Sequence, residues 1–281
     1  MENKLEDLLG DISSETDKYF KARCFMTEKA ETEIFDEKKE IDSLRIYCKQ
    51  NNYDIALIKR KNNEIAYIKL IDMENENCKN IIDIINTISR EKRININTPI
   101  PELLDKFEEL KYVFVYDGDI FKGIITLADL NKPSLYTYSY ILISDFEKLL
   151  RNIVRISCRE EEWLEHLSDE NQKQVGGNFI ANKAKGIETS LLECTTITQL
   201  KEVLLKSKLY NEFKVYNGQK EYNKKLKEII DYRNAVMHNR NLIRSEKKYD
   251  EFYKFLLDFC MQRKAINEYY ESIKEDKEST K

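Results

Sequence analysis

Between about residues 40 and 130 the chain runs twice through the same succession of helix, strand, turn and strand, and this repeat constrains the fold more than any other feature. In the first pass Leu44-Arg-Ile-Tyr-Cys-Lys has helical content, and Asp54-Ile-Ala-Leu-Ile-Lys reads as a buried strand. Lys61-Asn-Asn is a turn, and Ile65-Ala-Tyr-Ile-Lys-Leu-Ile is a second strand. In the second pass Thr98 to Phe107 is a helix with Pro101 in its first turn, and Tyr112-Val-Phe-Val-Tyr is a strand. Asp117-Gly118-Asp119 gives a hairpin turn, and Phe121 to Thr126 returns into Leu127-Ala-Asp-Leu. Ile81 to Ile88, between the passes, is read as helix. Two units with the same succession of elements suggest an internal duplication.

The end of the second unit carries a resemblance. Gly123-Ile-Ile-Thr126-Leu-Ala-Asp129-Leu is similar to the end of a CBS domain, and the two units together resemble a CBS pair over residues 20–133. The resemblance implies an α/β regulatory domain with an adenosine-nucleotide ligand. In it Gly123 lets the ligand approach the backbone, the Thr126 hydroxyl meets phosphate or ribose, and Asp129 takes ribose hydroxyls. Backbone of the strand containing Tyr112 and Val113 completes the site. In the first unit Ala66 and Lys69 stand at the Gly and Thr positions and only Asp72 is kept, so one nucleotide site is expected. The other reading is that the pair serves only as a dimerising or packing scaffold.

Beyond Pro133 the period becomes helical. Leu142, Phe146, Leu149, Leu150, Ile153 and Val154 recur at three-to-four spacing on a first long helix. A second helix holds Glu161 to Leu167, Gly176-Gly177 reads as a break, and Thr196 or Thr198 offers a cap for the helix that follows. A further helical stripe spans residues 219–242, and a last helix runs from Glu246 to Ile273. With only 7 Gly and 3 Pro and a charged fraction of 35%, long solvated helices are favoured over a sandwich or barrel. The reading is a multidomain α+β protein: an N-terminal helix over 1–19, the α/β pair over 20–133, an all-α helical bundle over 137–273, and a charged tail over 274–281 expected to be disordered.

Late in the bundle stands Asp231-Tyr-Arg-Asn-Ala-Val-Met-His-Asn-Arg240, with one of the chain's two histidines. At about 100° per residue Asn234 and His238 are one turn apart on nearly the same face, whereas Arg233 lies about 140° round the helix from His238. One copy is an awkward site; two copies related by a two-fold axis would place an arginine and a histidine from each chain over one groove. Arg233-Asn234-x-x-x-His238 resembles the R-x4-6-H motif of HEPN domains, and Glu147 and Arg151 on the first helix fit that resemblance.

The HEPN resemblance implies a homodimeric, metal-independent endoribonuclease, a toxin or phage-defence effector, that needs no cofactor for catalysis. His238 would act as general base or acid, Arg233 would neutralise charge on the phosphoryl oxygens, and Asn234 would orient His238. The alternative is a non-catalytic HEPN module for nucleotide binding, partner binding or dimerisation. Arg240 stands where related toxins silenced by adenylylation carry a tyrosine. His166 has no partner motif, and Trp163 is expected in the core.

Charge is unevenly spread. Within residues 214–248 there are 10 basic residues against 4 acidic, net +6, in a chain whose formal net charge is −4. Lys224, Lys225, Arg240 and Arg244 in this window are the candidate RNA contacts. The six cysteines are widely separated without a Cys-x-x-Cys pair, which argues against structural zinc and a disulfide framework. The N-terminus has no basic start leading to an apolar run, and no stretch is long enough to span a bilayer, so the expected setting is cytoplasmic, without membrane partners.

Overall fold

The computed structural model describes residues 4–9, 19–74, 80–243 and 245–279. The chain divides into two compact units, one of Gly10–Ser134 with Ile243–Asp250, the other of Met1–Leu9, Leu135–Leu242 and Glu251–Lys281. Of the segment read as an N-terminal helix, α1 covers Leu5–Leu9, and residues 10–18 lie outside the described residues.

The N-terminal unit is the duplicated one. Its elements are β1 (Thr27–Glu28), β2 (Ile34–Asp36), α2 (Ile41–Asn51), β3 (Ile55–Lys59), β4 (Ile65–Lys69), α3 (Leu70–Met73), β5 (Asn86–Thr87), β6 (Arg93–Asn95), α4 (Ile100–Glu109), β7 (Tyr112–Asp117) and β8 (Ile120–Thr126). They form two four-stranded sheets, ordered β2-β3-β4-β5 and β1-β8-β7-β6. In each, a parallel pair is followed by a hairpin and then an antiparallel edge strand. That edge strand comes from the other half: β5, which opens the second repeat, closes the first sheet, and β1, which opens the first, closes the second.

The continuous apolar runs of β3, β4 and β7 are explained by burial on both sides. Ala56, Ile58, Ala66 and Ile68 pack with Leu44 and Cys48 of α2, while Leu57 and Tyr67 point the other way into a shared core with Phe114, Tyr116, Phe121 and Ile124. Each large side chain in that core contributes roughly 1.5–3 kcal/mol by leaving water. Gly118 turns the β7–β8 hairpin at φ +58°, where a Cβ would be strained. Residues Ile243–Asp250 belong to this unit because Asn131 clamps the Ile243 backbone, accepting from its N–H at 3.1 Å and donating to its carbonyl at 2.6 Å. The Tyr249 hydroxyl donates to the Leu104 carbonyl.

The other unit contains α5 (Pro133–Ser157), α6 (Asp169–Ala184), α7 (Ile197–Lys206), α8 (Gln219–Met237) and α9 (Glu246–Ser279), which begin or end in the neighbouring unit where the boundaries fall inside them. Pro133 opens α5 at a position where its missing N–H costs nothing. Thr196 caps α7 in a capping box, accepting from the Gln199 N–H while the Gln199 side chain accepts from the Thr196 N–H. Trp163 is buried, as expected, at 2% exposure.

Four readings of local structure change. Ile81 to Ile88 is not a helix: a 3-10 turn over Ile81–Asp83 leads into β5, because β-branched isoleucines suit an extended edge and only Ile81 and Ile88 are fully buried. Glu161 to Leu167 is a 3-10 turn over Glu162–His166. Gly176 and Gly177 do not break the chain but lie inside α6, which tolerates a cost of about 1 kcal/mol for each. There Ser168 caps the first turn and Val175 is buried. The segment expected as a disordered tail is helical to Ser279, continuing α9, while residues 280 and 281 lie outside the described residues. Among the described residues no helix is long and apolar enough to cross a membrane.

Candidate functional site

Helix α8 ends inside the motif. Met237 is its last residue and His238 its C-cap. Asn239 takes the left-handed conformation at φ +50°, the Asn239 N–H donates to the Val236 carbonyl and the Arg240 N–H to the Ala235 carbonyl. This is a Schellman closure with asparagine at the residue after the cap. His238 is therefore exposed at the lip of a helix terminus rather than embedded along its side.

Arg233 is held from α5. Its Nε donates to Glu147 Oε1 at 3.3 Å, and the other Glu147 oxygen accepts from Arg151 Nη2 at 3.2 Å. Arg151 Nη2 also donates to the Thr195 carbonyl at 2.9 Å. The Glu147 side chain is 14% exposed and that of Arg233 35%, so one carboxylate fixes two guanidinium groups while leaving part of Arg233 open to solvent. The recorded contact of the Asn234 carboxamide is to Arg233 Nη1 at 3.5 Å, where helix geometry had predicted the imidazole of His238. Glu147 stood out in the sequence, with Arg151, as fitting the HEPN resemblance; its pairing with Arg233 spans 86 positions and has no local signal.

The candidate RNA contacts are more neutralised than their sequence window implies. Lys224 lies 3.9 Å from Glu228, Lys225 lies 2.9 Å from Asp258, and Lys227 lies 2.6 Å from Asp231. Burial alone would push the Lys225 ammonium down, but its hydrogen bond to Asp258 outweighs this and raises it. Arg240 is exposed, its carbonyl accepting from the Tyr136 hydroxyl at 2.9 Å. Arg244 lies outside the described residues.

In the N-terminal unit the structure brings Gly123, Thr126 and Asp129 together, and occupies them. Asp129 Oδ2 accepts from the Thr126 N–H at 2.7 Å and from its hydroxyl at 2.9 Å; Oδ1 accepts from the Thr27 hydroxyl at 2.9 Å and lies 2.8 Å from Lys132 Nζ. Lys132 also donates to the carbonyls of Phe25 and Met26. Gly123 sits opposite Glu28 in the β1–β8 pairing, and a Cβ there would collide with the Thr27 carbonyl oxygen and approach the Thr27 carbonyl carbon to 3.2 Å. The glycine thus admits a strand. A ligand reaching Asp129 has to displace one of its present donors.

Tyr112 and Val113 are likewise engaged. Val113 is fully buried and paired with Ile125. Lys92 Nζ donates to the Tyr67 hydroxyl at 2.6 Å and to the Tyr112 hydroxyl at 3.2 Å, lying over both rings. Burial first, then the neighbouring Tyr67 hydroxyl, pushes the Tyr112 phenol up to about 12. Thr27 and Lys92 were missed in the sequence because each acts across a strand or repeat boundary; Lys132 was missed although it lies only three residues after Asp129. Among the described residues no group of three or more His, Cys, Asp or Glu side chains is placed to hold a metal ion.

No family model matches the chain, and no curated protein matches it. Solved structures do. A hemolysin-like protein containing a CBS domain from Oenococcus oeni is 15% identical, covering 46% of this chain and 96% of its own, with a TM-score of 0.34. The CBS domain of a bacterial CNNM/CorC-family Mg2+ transporter in complex with ATP is 16% identical over 44% of this chain and 92% of its own, TM-score 0.36. CBSX2 in complex with AMP is 12% identical over 41% of this chain and 96% of its own, TM-score 0.36. The chain is thus similar, over somewhat less than half its length, to CBS-domain proteins.

Proposed function

We propose that the helical unit is a metal-independent endoribonuclease of HEPN type that works as a homodimer, a toxin or phage-defence effector in the cytoplasm. The observation that supports this reading most is the Glu147–Arg233 pair, five residues before an exposed His238 at the end of the same helix. A guanidinium already fixed by a carboxylate, with part of its side chain open to solvent, is prepared to meet a phosphate without further ordering.

The 2′-hydroxyl of RNA attacks the adjacent phosphorus, forming the P–O2′ bond as the P–O5′ bond breaks. His238 of one protomer takes the 2′-hydroxyl proton, and the histidine of the second gives a proton to the leaving 5′-oxygen. Arg233 carries the charge that builds on the phosphoryl oxygens. The products are a 2′,3′-cyclic phosphate and a 5′-hydroxyl.

The duplicated unit is proposed as the sensor, taking an adenine nucleotide at Thr126 and Asp129, with Gly123 admitting β1 in place of the ligand. Ribose hydroxyls would replace the Thr27 or Lys132 contacts of Asp129. Incubation of wild type and His238→Ala with RNA in EDTA, with and without ATP or AMP, tests the whole. Wild type should cleave, His238→Ala should not, and a 2′-deoxy nucleotide at the cut site should resist. Equal cleavage by the two proteins, or none under any nucleotide, would refute it.

The same ion pair favours a second reading, a non-catalytic module in which Arg233 is a structural member of the α5–α8 contact. Under that reading Arg233→Ala alters oligomeric state or ligand affinity and no RNA is cut.

A further inference from the structure

Helices α5 and α8 run antiparallel, and their contacts fix a register. Glu147 meets Arg233, Ile143 packs with Val236, and the Tyr136 hydroxyl reaches the Arg240 carbonyl. Residue 140 falls between the last two of these rungs, level with Met237 and His238. Tyr140 is seven residues before Glu147, within about 20° of two full turns, so it shares that residue's side of α5. Met237 is four residues after Arg233, about 40° round α8.

Tyr140 and Met237 are 50% and 49% exposed, while their neighbours Tyr136, Ile143 and Val236 are buried. Among the described residues Tyr140 has no hydrogen bond and no ring partner, in a unit where Tyr136, Tyr210, Tyr216, Tyr222 and Tyr232 all have one. By this register an open aromatic ring on α5 falls level with Met237 and His238, which belong to the basic 214–248 window.

From this we infer that Tyr140 is a substrate-positioning residue on which a nucleobase next to the scissile phosphate stacks, making single-stranded RNA the substrate class. The inference rests on the ribonuclease reading of Arg233 and His238. A stacked base matches the size of one exposed ring, and Arg233 and Arg240 on the antiparallel α8 segment match the charge of the backbone that carries it. Stacking tolerates any base, so Tyr140 would fix the distance of the phosphate from His238 without reading sequence.

The test uses the full chain and a fluorescein-labelled, fully 2′-O-methylated seven-nucleotide single strand, which cannot be cut, with affinity read by anisotropy. Tyr140→Ala should weaken binding by about 5- to 150-fold, the span that corresponds to a stacking contribution of about 1–3 kcal/mol. Tyr140→Phe and Tyr140→Trp should bind within about threefold of wild type. An abasic nucleotide at one position should abolish the difference between wild type and Tyr140→Ala.

Equal affinity of wild type and Tyr140→Ala overturns the inference, as does a loss with Tyr140→Phe as large as with alanine, or no binding by wild type at all. Conversion of a dimer to a monomer by Tyr140→Ala, with affinity per protomer unchanged, also overturns it and assigns the ring to contact with a second copy. If the Tyr140 effect on binding holds but wild type cuts no unmodified RNA, only the ribonuclease reading falls.

Discussion

Substitution of Asp129 separates a structural carboxylate from a ligand-binding one. Its side chain is 9% exposed, and its two oxygens take the Thr126 N–H and hydroxyl, the Thr27 hydroxyl and the Lys132 ammonium. These bonds tie the end of β8 to β1, the edge strand supplied by the other repeat. Hydrogen bonds to a charged acceptor contribute about 1.5–3 kcal/mol each when removed singly. They do not add here, because Lys132 keeps the Phe25 and Met26 carbonyls and Thr27 can turn to water. Lys132 is 35% exposed, so its ion pair with Asp129 is worth only about 1 kcal/mol, and with the bonds from Thr126 and Thr27 a loss of about 2–3 kcal/mol is expected for Asp129→Ala. At roughly 4 °C per kcal/mol for a unit of this size, the melting transition of the N-terminal unit should fall by about 8–12 °C. The assay is thermal and urea unfolding without nucleotide, followed by calorimetric titration with AMP and ATP. An unchanged transition together with lost nucleotide affinity would refute the reasoning, because it would make the carboxylate a ligand group with no structural task.

Further outcomes follow from the same contacts. Gly123→Ala should destabilise the N-terminal unit by about 1–3 kcal/mol in urea unfolding, since the new methyl must push β1 away at Thr27. Glu147→Gln should lower cleavage by roughly five- to tenfold at unchanged global stability, because the half-exposed pair contributes only about 1 kcal/mol and that goes to placing Arg233; an unchanged rate would remove Glu147 from the site.

Glu202 predicts a pH response. Burial raises its carboxyl, but hydrogen bonds from Lys206, Asn171 and the Ser168 N–H outweigh burial and hold it below the usual range. A depressed folded-state pKa contributes stability that is fully present above the unfolded value of about 4.3 and is lost as pH falls through the folded one. The urea midpoint of wild type should therefore exceed that of Glu202→Gln at pH 6 and converge on it below about pH 4.3; parallel curves would contradict this.

Local sequence determined a good deal. The repeat was visible because each half must hide the same faces: β3, β4 and β7 read as unbroken apolar runs, and their hairpins lie where Lys61-Asn-Asn and Asp117-Gly-Asp stand. The three-to-four spacing from Leu142 to Val154 located α5, and the arginine, asparagine and histidine of α8 were legible as a compact set. Asn239 after His238 was a readable stop signal that the motif's own spacing obscured. Ile81 to Ile88 and Gly176-Gly177 misled because propensity is weak beside tertiary packing: an edge strand was needed in the first place and a capped helix carried the glycines in the second.

The tertiary structure alone decided which groups meet. Nothing near Asp129 in the chain announces Thr27, 102 positions away, and nothing near Arg233 announces Glu147, 86 positions away. Sequence sets the chemistry a residue carries and the face of the element on which it lies, because those follow from local backbone geometry. Whether a carboxylate faces a strand, a guanidinium or open water depends on which distant segment packs against it, and that is fixed only when the chain folds.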